Sequence, residues 1–241
     1  MPLLYGKTSS AQPTRIADAT AQGIRTSATG EQFVVPVGSG DYGLLMESSY
    51  FKAVNSTFNT AIAMSIAAAT AFSEVQGSIT IRNSNAVNGK DIFLDYIRVV
   101  IAAAGTGNTA LSVAYQTDII TRYSSGGGAL TPVNCNSGGS NTTGAVVHAG
   151  ALTLVTSSAL AKKLNGGAAV LKTTAPAAND IYFFSFANTD TTVTAPGAAV
   201  AIPCGPVLLP AGSNHTFVMH FFGAAQSAAP TAFFEIGYFE R

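Results

Sequence analysis

The chain is 241 residues long, with 12 Lys and Arg against 12 Asp and Glu, a formal net charge of zero and 47% hydrophobic residues. That length is enough to bury a sizeable core, and the composition excludes both a disordered tail and a disulfide scaffold. Only 10% of residues are charged, against roughly 25% in an average soluble protein, which argues against free nucleic acid as a ligand because duplex binding rests on clustered Lys and Arg.

The polar positions are filled by Ser, Thr, Asn and Gln instead. A free monomer stays dispersed through mixed surface charge and a net charge away from zero. This chain has neither, so much of its surface is expected to be covered in the working state; an exposed Ser/Thr-rich β surface is the alternative.

The chain starts Met1-Pro2-Leu3-Leu4-Tyr5-Gly6-Lys7 and turns polar at once. A Sec-type leader is not expected, nor a membrane span, since no run reaches about 18 apolar residues. Synthesis in a host cytoplasm follows as the expectation. Residues 1–40 are polar and Ala-rich, punctuated by Pro13, Gly23, Gly30, Gly38 and Gly40, and read as an extended N-terminal arm. Residues 41–241 read as a single β domain.

In residues 62–72 the larger apolar residues fall at even positions and small ones at odd positions. Alanine favours helix, but a period of two is the strand signature. Further strands are expected at 78–82, 92–103, 111–116, 152–156, 169–172, 181–186, 216–222 and 233–239. Turn signals separate them, among them Asn88-Gly89, Asn165-Gly166-Gly167 and Pro210-Ala211-Gly212. Many short strands joined by such tips predict an all-β, antiparallel β-sandwich of jelly-roll type. The Gly/Ser/Asn-rich stretch at 124–144 reads as one long loop, or as a domain boundary; composition is alike on both sides, which favours the loop.

Motifs for chemistry are weak. Gly105-Thr106-Gly107-Asn108-Thr109-Ala110 fits GxGxxA, but a dinucleotide site needs a helix next and an acid about 20 residues on; an alternating strand and Gly126-Gly127-Gly128 follow instead. Ser49 and Lys52 match SxxK without the partner motifs. His215 and His220 differ by an odd number and face opposite sides of a strand, and His148 is remote, so no histidine pair is spaced for a metal. His220, between Met219 and Phe221, reads as a packed or interface residue. Asp91 and Asp95 share a strand face about 13 Å apart, too far for a glycosidase pair; Glu235 and Glu240 point to opposite faces. Cys135 and Cys204 form no CxxC and read as plain thiols. Lys162-Lys163 is the only dense basic spot, with Lys172 further on, and the lysine pair reads as a solvated turn. The Asn-x-Ser/Thr triplets at Asn55, Asn141 and Asn214 are chance matches. No catalytic, cofactor-binding or metal-ligating residue is assigned, and no enzyme activity is expected.

Aromatics crowd the last third: Tyr182, Phe183, Phe184 and Phe186, then Phe217, Phe221 and Phe222, then Phe233, Phe234, Tyr238 and Phe239. Adjacent rings such as Phe183-Phe184 face both sides of a strand. One face fills the core, and the other meets a second layer of the same domain or a partner.

The segment from Asn88-Gly89-Lys90-Asp91 through Arg98 with Ala102–Gly107, the run Arg122-Tyr123-Ser124-Ser125-Gly126-Gly127 with Leu130–Asn134, the run Val207–Ser213 and the ending Phe234–Arg241 together resemble a group of structural proteins of tailed bacteriophages. The similarity covers residues 42–241. It implies a virion component. Separately, a symmetric oligomer that packs against copies of itself and against other virion proteins is expected, a trimer first. A capsid-associated decoration or minor capsid protein is the first expectation. A tail-fibre or receptor-binding module that recognises a host glycan through Tyr123 and the 124–144 loop is the alternative, and a hydrolase with acids converging from distant strands is a third.

Overall fold

A computed structural model describes residues 47–57, 59–64, 72–106, 111–158, 169–186, 197–212, 214–223 and 228–241, with short strands at 7–8, 25–26 and 162–163. The chain divides into two compact units, Met1–Gly43 and Leu44–Arg241. In the first, β1 (Lys7–Thr8) pairs in parallel with β2 (Arg25–Thr26). The remainder of the expected arm lies outside the described residues.

The second unit is all-β, with no helix among the described residues. Its strands are β3 (Tyr50–Asn55), β4 (Ile62–Ala63), β5 (Gln76–Asn83), β6 (Ile92–Ala103), β7 (Leu111–Asp118), β8 (Tyr123–Asn134), β9 (Ala145–Leu154), β10 (Lys162–Lys163), β11 (Ala169–Lys172), β12 (Ile181–Ser185), β13 (Ala199–Pro203), β14 (Val207–Leu209), β15 (Thr216–Phe222) and β16 (Thr231–Glu240). They form one sheet in the order β10-β7-β15-β5-β9-β8-β3-β16-β6-β12-β13, with β11 on β7, β14 on β6 and β4 on β16. The expected strand over 62–72 is present at Ile62–Ala63; residues 65–71 lie outside the described residues.

Two expectations need correction. The sheet is mixed, not wholly antiparallel, because β12 and β13 run parallel. The segment between them, residues 186–198, is long enough for the crossover that parallel neighbours require. The stretch at 124–144 is also no long loop. Tyr123–Asn134 is a full strand, and β9 already begins at Ala145. Its glycines serve a bulged strand: Gly126 and Gly127 have φ of 84° and 63°, where an L side chain is strained, and the register with β9 shifts beside them. Such bulges twist and bend a strand. The first part of β8 therefore pairs with β9 and its last part with β3.

Through β8 the sheet passes from one half, containing β5, β7, β9, β10, β11 and β15, to another, containing β3, β4, β6, β12, β13, β14 and β16. It curls until it is nearly barrel-shaped around one core. Ile79, Ile81, Val113, Val147, Phe217 and Phe221 enter that core from the first half; Phe51, Ile97, Phe184, Phe234 and Ile236 enter from the second. Across that core, Tyr115 of β7 packs edge-on against Phe186, just past β12, at 5.8 Å. Along β16 the period of two is plain: Ala232, Phe234, Ile236, Tyr238 and Glu240 are buried, while Phe233, Glu235 and Phe239 are half-buried. Phe233-Phe234 does divide between the two sides, as adjacent strand residues must.

Candidate interaction face

The outward side of the second half carries the large residues that the core does not take. Strand register sets them in rows. Leu208, Phe93, Phe239 and Tyr50 lie side by side across β14, β6, β16 and β3. The Phe93 and Phe239 rings stack at 4.9 Å, 3° from parallel. In the next row, Tyr96 lies over Gly237, beside Lys52 and Val133. A Cβ at Gly237 would collide with the Tyr96 ring and the Tyr50 hydroxyl, so glycine there is what lets the ring lie flat. Tyr96 stacks on Phe183 at 5.4 Å. A third row runs Phe183, Arg98, Glu235 and Val54. Leu208 and Val133, at opposite sides of the face, are 45% and 47% exposed.

Three charges sit among these rings. Glu235 accepts from Lys52 at 3.3 Å, lies 3.7 Å from Arg98 and accepts the Tyr96 hydroxyl. Burial, reinforced by the Glu235 hydrogen bond and charge, drives the Tyr96 phenol above its ordinary range, so Tyr96 stays a donor. Lys52 Nζ also lies 5.7 Å from the centre of the Tyr96 ring, a cation–π contact. Beside the ion pairs opens a pit of about 530 Å³, lined by Val54, Asn55, Asn59, Arg98, Phe233 and Glu235.

Part of the outward side of the first half, around Gln116, Val218 and His220, is buried. Arg122, fully buried, donates to Asp118 at 3.2 Å and to the carbonyls of Val155 and Glu74, each at 2.8 Å. With its amide turned to satisfy both partners, the Gln116 oxygen also accepts from Arg122 Nη2 at 3.2 Å. Burial alone would raise the Asp118 carboxyl; the hydroxyl and amide of Ser158, the Ile119 amide and Arg122 outweigh it and hold the group low. His220 packs edge-on against Phe72 and bonds the Gln76 carbonyl at 2.7 Å through Nδ1. Burial, with Arg122 nearby, lowers its pKa to about 4. Among the described residues, His220 Nε2 and Thr80 Oγ1 have no hydrogen-bond partner.

The residues that sequence patterns single out are spread over the fold. Ser49 Oγ bonds the Glu47 carbonyl while Lys52 reaches Glu235, on the other side of β3. Asp95 accepts from the Tyr50 hydroxyl at 2.5 Å, and Asp91 from the Ala211 amide at 2.8 Å. Glu235 lies on the outward face, whereas Glu240 is buried and accepts from the Gly144 amide at 2.9 Å. Thr106, within the GxGxxA match, bridges to Ala228, and β7 follows where a helix would be needed; residues 107–110 lie outside the described residues. His148 stacks on Tyr123 at 3.8 Å, and burial with the nearby Arg82 lowers its pKa. Lys162 and Lys163 are not a turn but form β10 on β7, and Lys172 pairs at 2.6 Å with the buried Asp180. Cys135 and Cys204 are half-buried free thiols. Among the described residues, no three His, Cys, Asp or Glu are placed to hold a metal ion, and no helix is long and apolar enough to cross a membrane.

Burial makes the scarcity of surface charge sharper than composition suggests. Asp95, Asp118, Asp180 and Glu240 are buried, as is Arg122, and only 12 acidic residues exist in the chain. Many amides are also committed: Asn83, Asn85, Asn134 and Asn141 all donate to main-chain carbonyls. Comparison with protein-family models, with curated proteins and with solved structures gives no match.

Proposed function

We propose that this chain is a non-enzymatic structural component of a bacteriophage virion: a capsid-associated decoration or minor capsid protein that stabilises the particle through contacts with copies of itself and with other virion proteins. The observation that carries the proposal is the outward face of the second half, where Phe93, Tyr96, Phe183, Phe233 and Phe239 line a broad sheet surface. Contiguous apolar surface of this kind marks an interface, and mixed aromatic and Arg composition is typical of one. The proposed mechanism is mechanical: burying the aromatic rows against a neighbour, with Lys52, Arg98 and Glu235 fixing register. On the same reading, the curled sheet is a β-sandwich of jelly-roll type, and residues 1–40 are an extended arm that adds contact area.

The pit beside Arg98 and Glu235 favours a second reading, a receptor-binding module for host glycan, since a ring wall with charged and amide groups suits sugar hydroxyls. One experiment separates the two. In purified particles from infected host cells, mass spectrometry and reconstruction should find the chain in a repeated shell-bound array. The isolated chain should give no signal on a glycan array. Absence from the shell, with glycan binding lost in Arg98→Ala, would replace the first reading by the second.

A further inference from the structure

The two ends of the sheet are guarded differently. At one end β10 consists of Lys162 and Lys163 on β7, and lysine on an edge strand opposes the addition of another strand. At the other end β13 reads Ala199-Val200-Ala201-Ile202-Pro203 and, among the described residues, pairs only with β12. No Asp, Glu, Lys or Arg occurs from Thr191 to Phe234.

The hydrogen bonds to β12 define which main-chain groups of β13 remain. The Ile181 amide donates to the Ala198 carbonyl at 2.9 Å, and the Cys204 amide to the Ser185 carbonyl at 2.6 Å. Even-numbered residues therefore point their main-chain groups at β12, and Ala199, Ala201 and Pro203 point theirs away. This open edge offers two N–H groups and three carbonyls, because Pro203 has no N–H.

We infer that β13 pairs antiparallel with β13 of a second copy, around a two-fold axis at Ala201. In that register Ala201 faces Ala201 and the two exchange both bonds, while each Ala199 amide donates to the opposite Pro203 carbonyl. Every outward N–H is satisfied and the missing proline donor costs only one bond per chain, at an exposed strand end. An isologous contact of this kind is the commonest route to a closed oligomer. The side chains agree. Val200 and Ile202 pack on the core yet stay partly exposed, and the two-fold sets Val200 of one copy against Ile202 of the other. The contact is two-fold, so it joins subunits in pairs, unlike the trimer expected from sequence. It stands independently of the virion reading and uses a different surface from the aromatic face.

The test is sedimentation velocity of the full chain from about 1 to about 100 µM, the range suited to a small-area contact. Wild type should pass from monomer to dimer. Ala201→Pro removes only an outward N–H and adds a ring at the axis, so it should stay monomeric with an unchanged circular dichroism spectrum. Ala201→Lys, which keeps the N–H but places a charge beside the axis, should weaken dimerisation at least tenfold. Phe239→Ser, on the aromatic face, should dimerise as wild type does. A monomeric wild type, an Ala201→Pro protein that dimerises normally, or association abolished by Phe239→Ser and not by the Ala201 variants would each overturn the edge pairing; the last would leave the aromatic-face reading standing.

Discussion

The first half of the sheet turns Thr80, Gln116, Val218 and His220 outward and then buries them under its own chain. The second half turns Phe93, Tyr96, Phe183 and Phe239 outward and leaves Phe93, Phe183 and Phe239 half-buried. Hydrophobicity alone would assign the faces the other way round. Polar groups are costly to bury without partners, and rings are costly to leave in water. On the covered face Arg122 ties three segments together, through Asp118, Glu74 and Val155. The uncovered face tolerates its rings by stacking them in pairs. The half-buried aromatic surface is thus a second apolar layer outside the core, on the side of the sheet where the Arg122 centre has no counterpart among the described residues.

Replacing Arg122 with Met is the strongest way to break this comparison. Removing one partner of a buried ion pair typically costs about 3–5 kcal/mol, because the other charge is left uncompensated. Urea unfolding of Arg122→Met should show a loss of that size. A loss below about 1 kcal/mol would mean that Ser158 and Ile119 satisfy Asp118 by themselves, and the covered face would then be no more specialised than the other.

A smaller effect should come from pH. His220 is held neutral in the fold, with a pKa of about 4 against an ordinary 6.5. The unfolded chain therefore takes up a proton first as pH falls. Stability from this residue is constant above pH about 6.5, declines between about 6.5 and about 4, and is level again below, a total of up to ~3 kcal/mol. His220→Phe should flatten that interval relative to wild type in thermal unfolding at stepped pH. An unchanged slope would place the titration elsewhere, with His148, whose pKa is also lowered, the next residue to substitute.

Legibility followed the side-chain pattern and stopped where the backbone acted alone. Strands built around apolar runs could be read directly: β6, β11 and β15 have the bounds expected from sequence. β8 could not, because Ser124 to Gly128 offers no side chains to alternate and the same glycines serve a loop or a bulge. β13 was hidden for a related reason: Ala and Pro carry little strand signal, and its parallel place beside β12 depends on a crossover that no local pattern encodes. At the candidate face, the doubled aromatics announced a second buried side, yet sequence spacing could not reveal that Gly237 makes room for Tyr96, or that Glu235 gathers Lys52 and Arg98 from two neighbouring strands. The Arg122 centre gave no signal at all, since its partners come from residues 74, 118 and 155.

The finest test compares Phe234 and Phe239 within one strand. Phe234 enters the core, and its truncation to Ala should cost about 3–5 kcal/mol. Phe239→Ser, five residues on and on the other side, removes a half-buried ring and one stacked pair, worth about 0.5–1.5 kcal/mol beyond its burial. Its effect on the unfolding of the isolated chain should therefore be modest, about 2 kcal/mol, while on the virion reading attachment to particles should fall at least tenfold because the missing ring sits in the middle of the Leu208, Phe93 and Tyr50 row. The dissociation between the two readouts is what matters. If Phe239→Ser destabilises the fold as strongly as Phe234→Ala and leaves attachment unchanged, the outward rings are a second core of the same domain, and the two faces of the sheet differ in degree only.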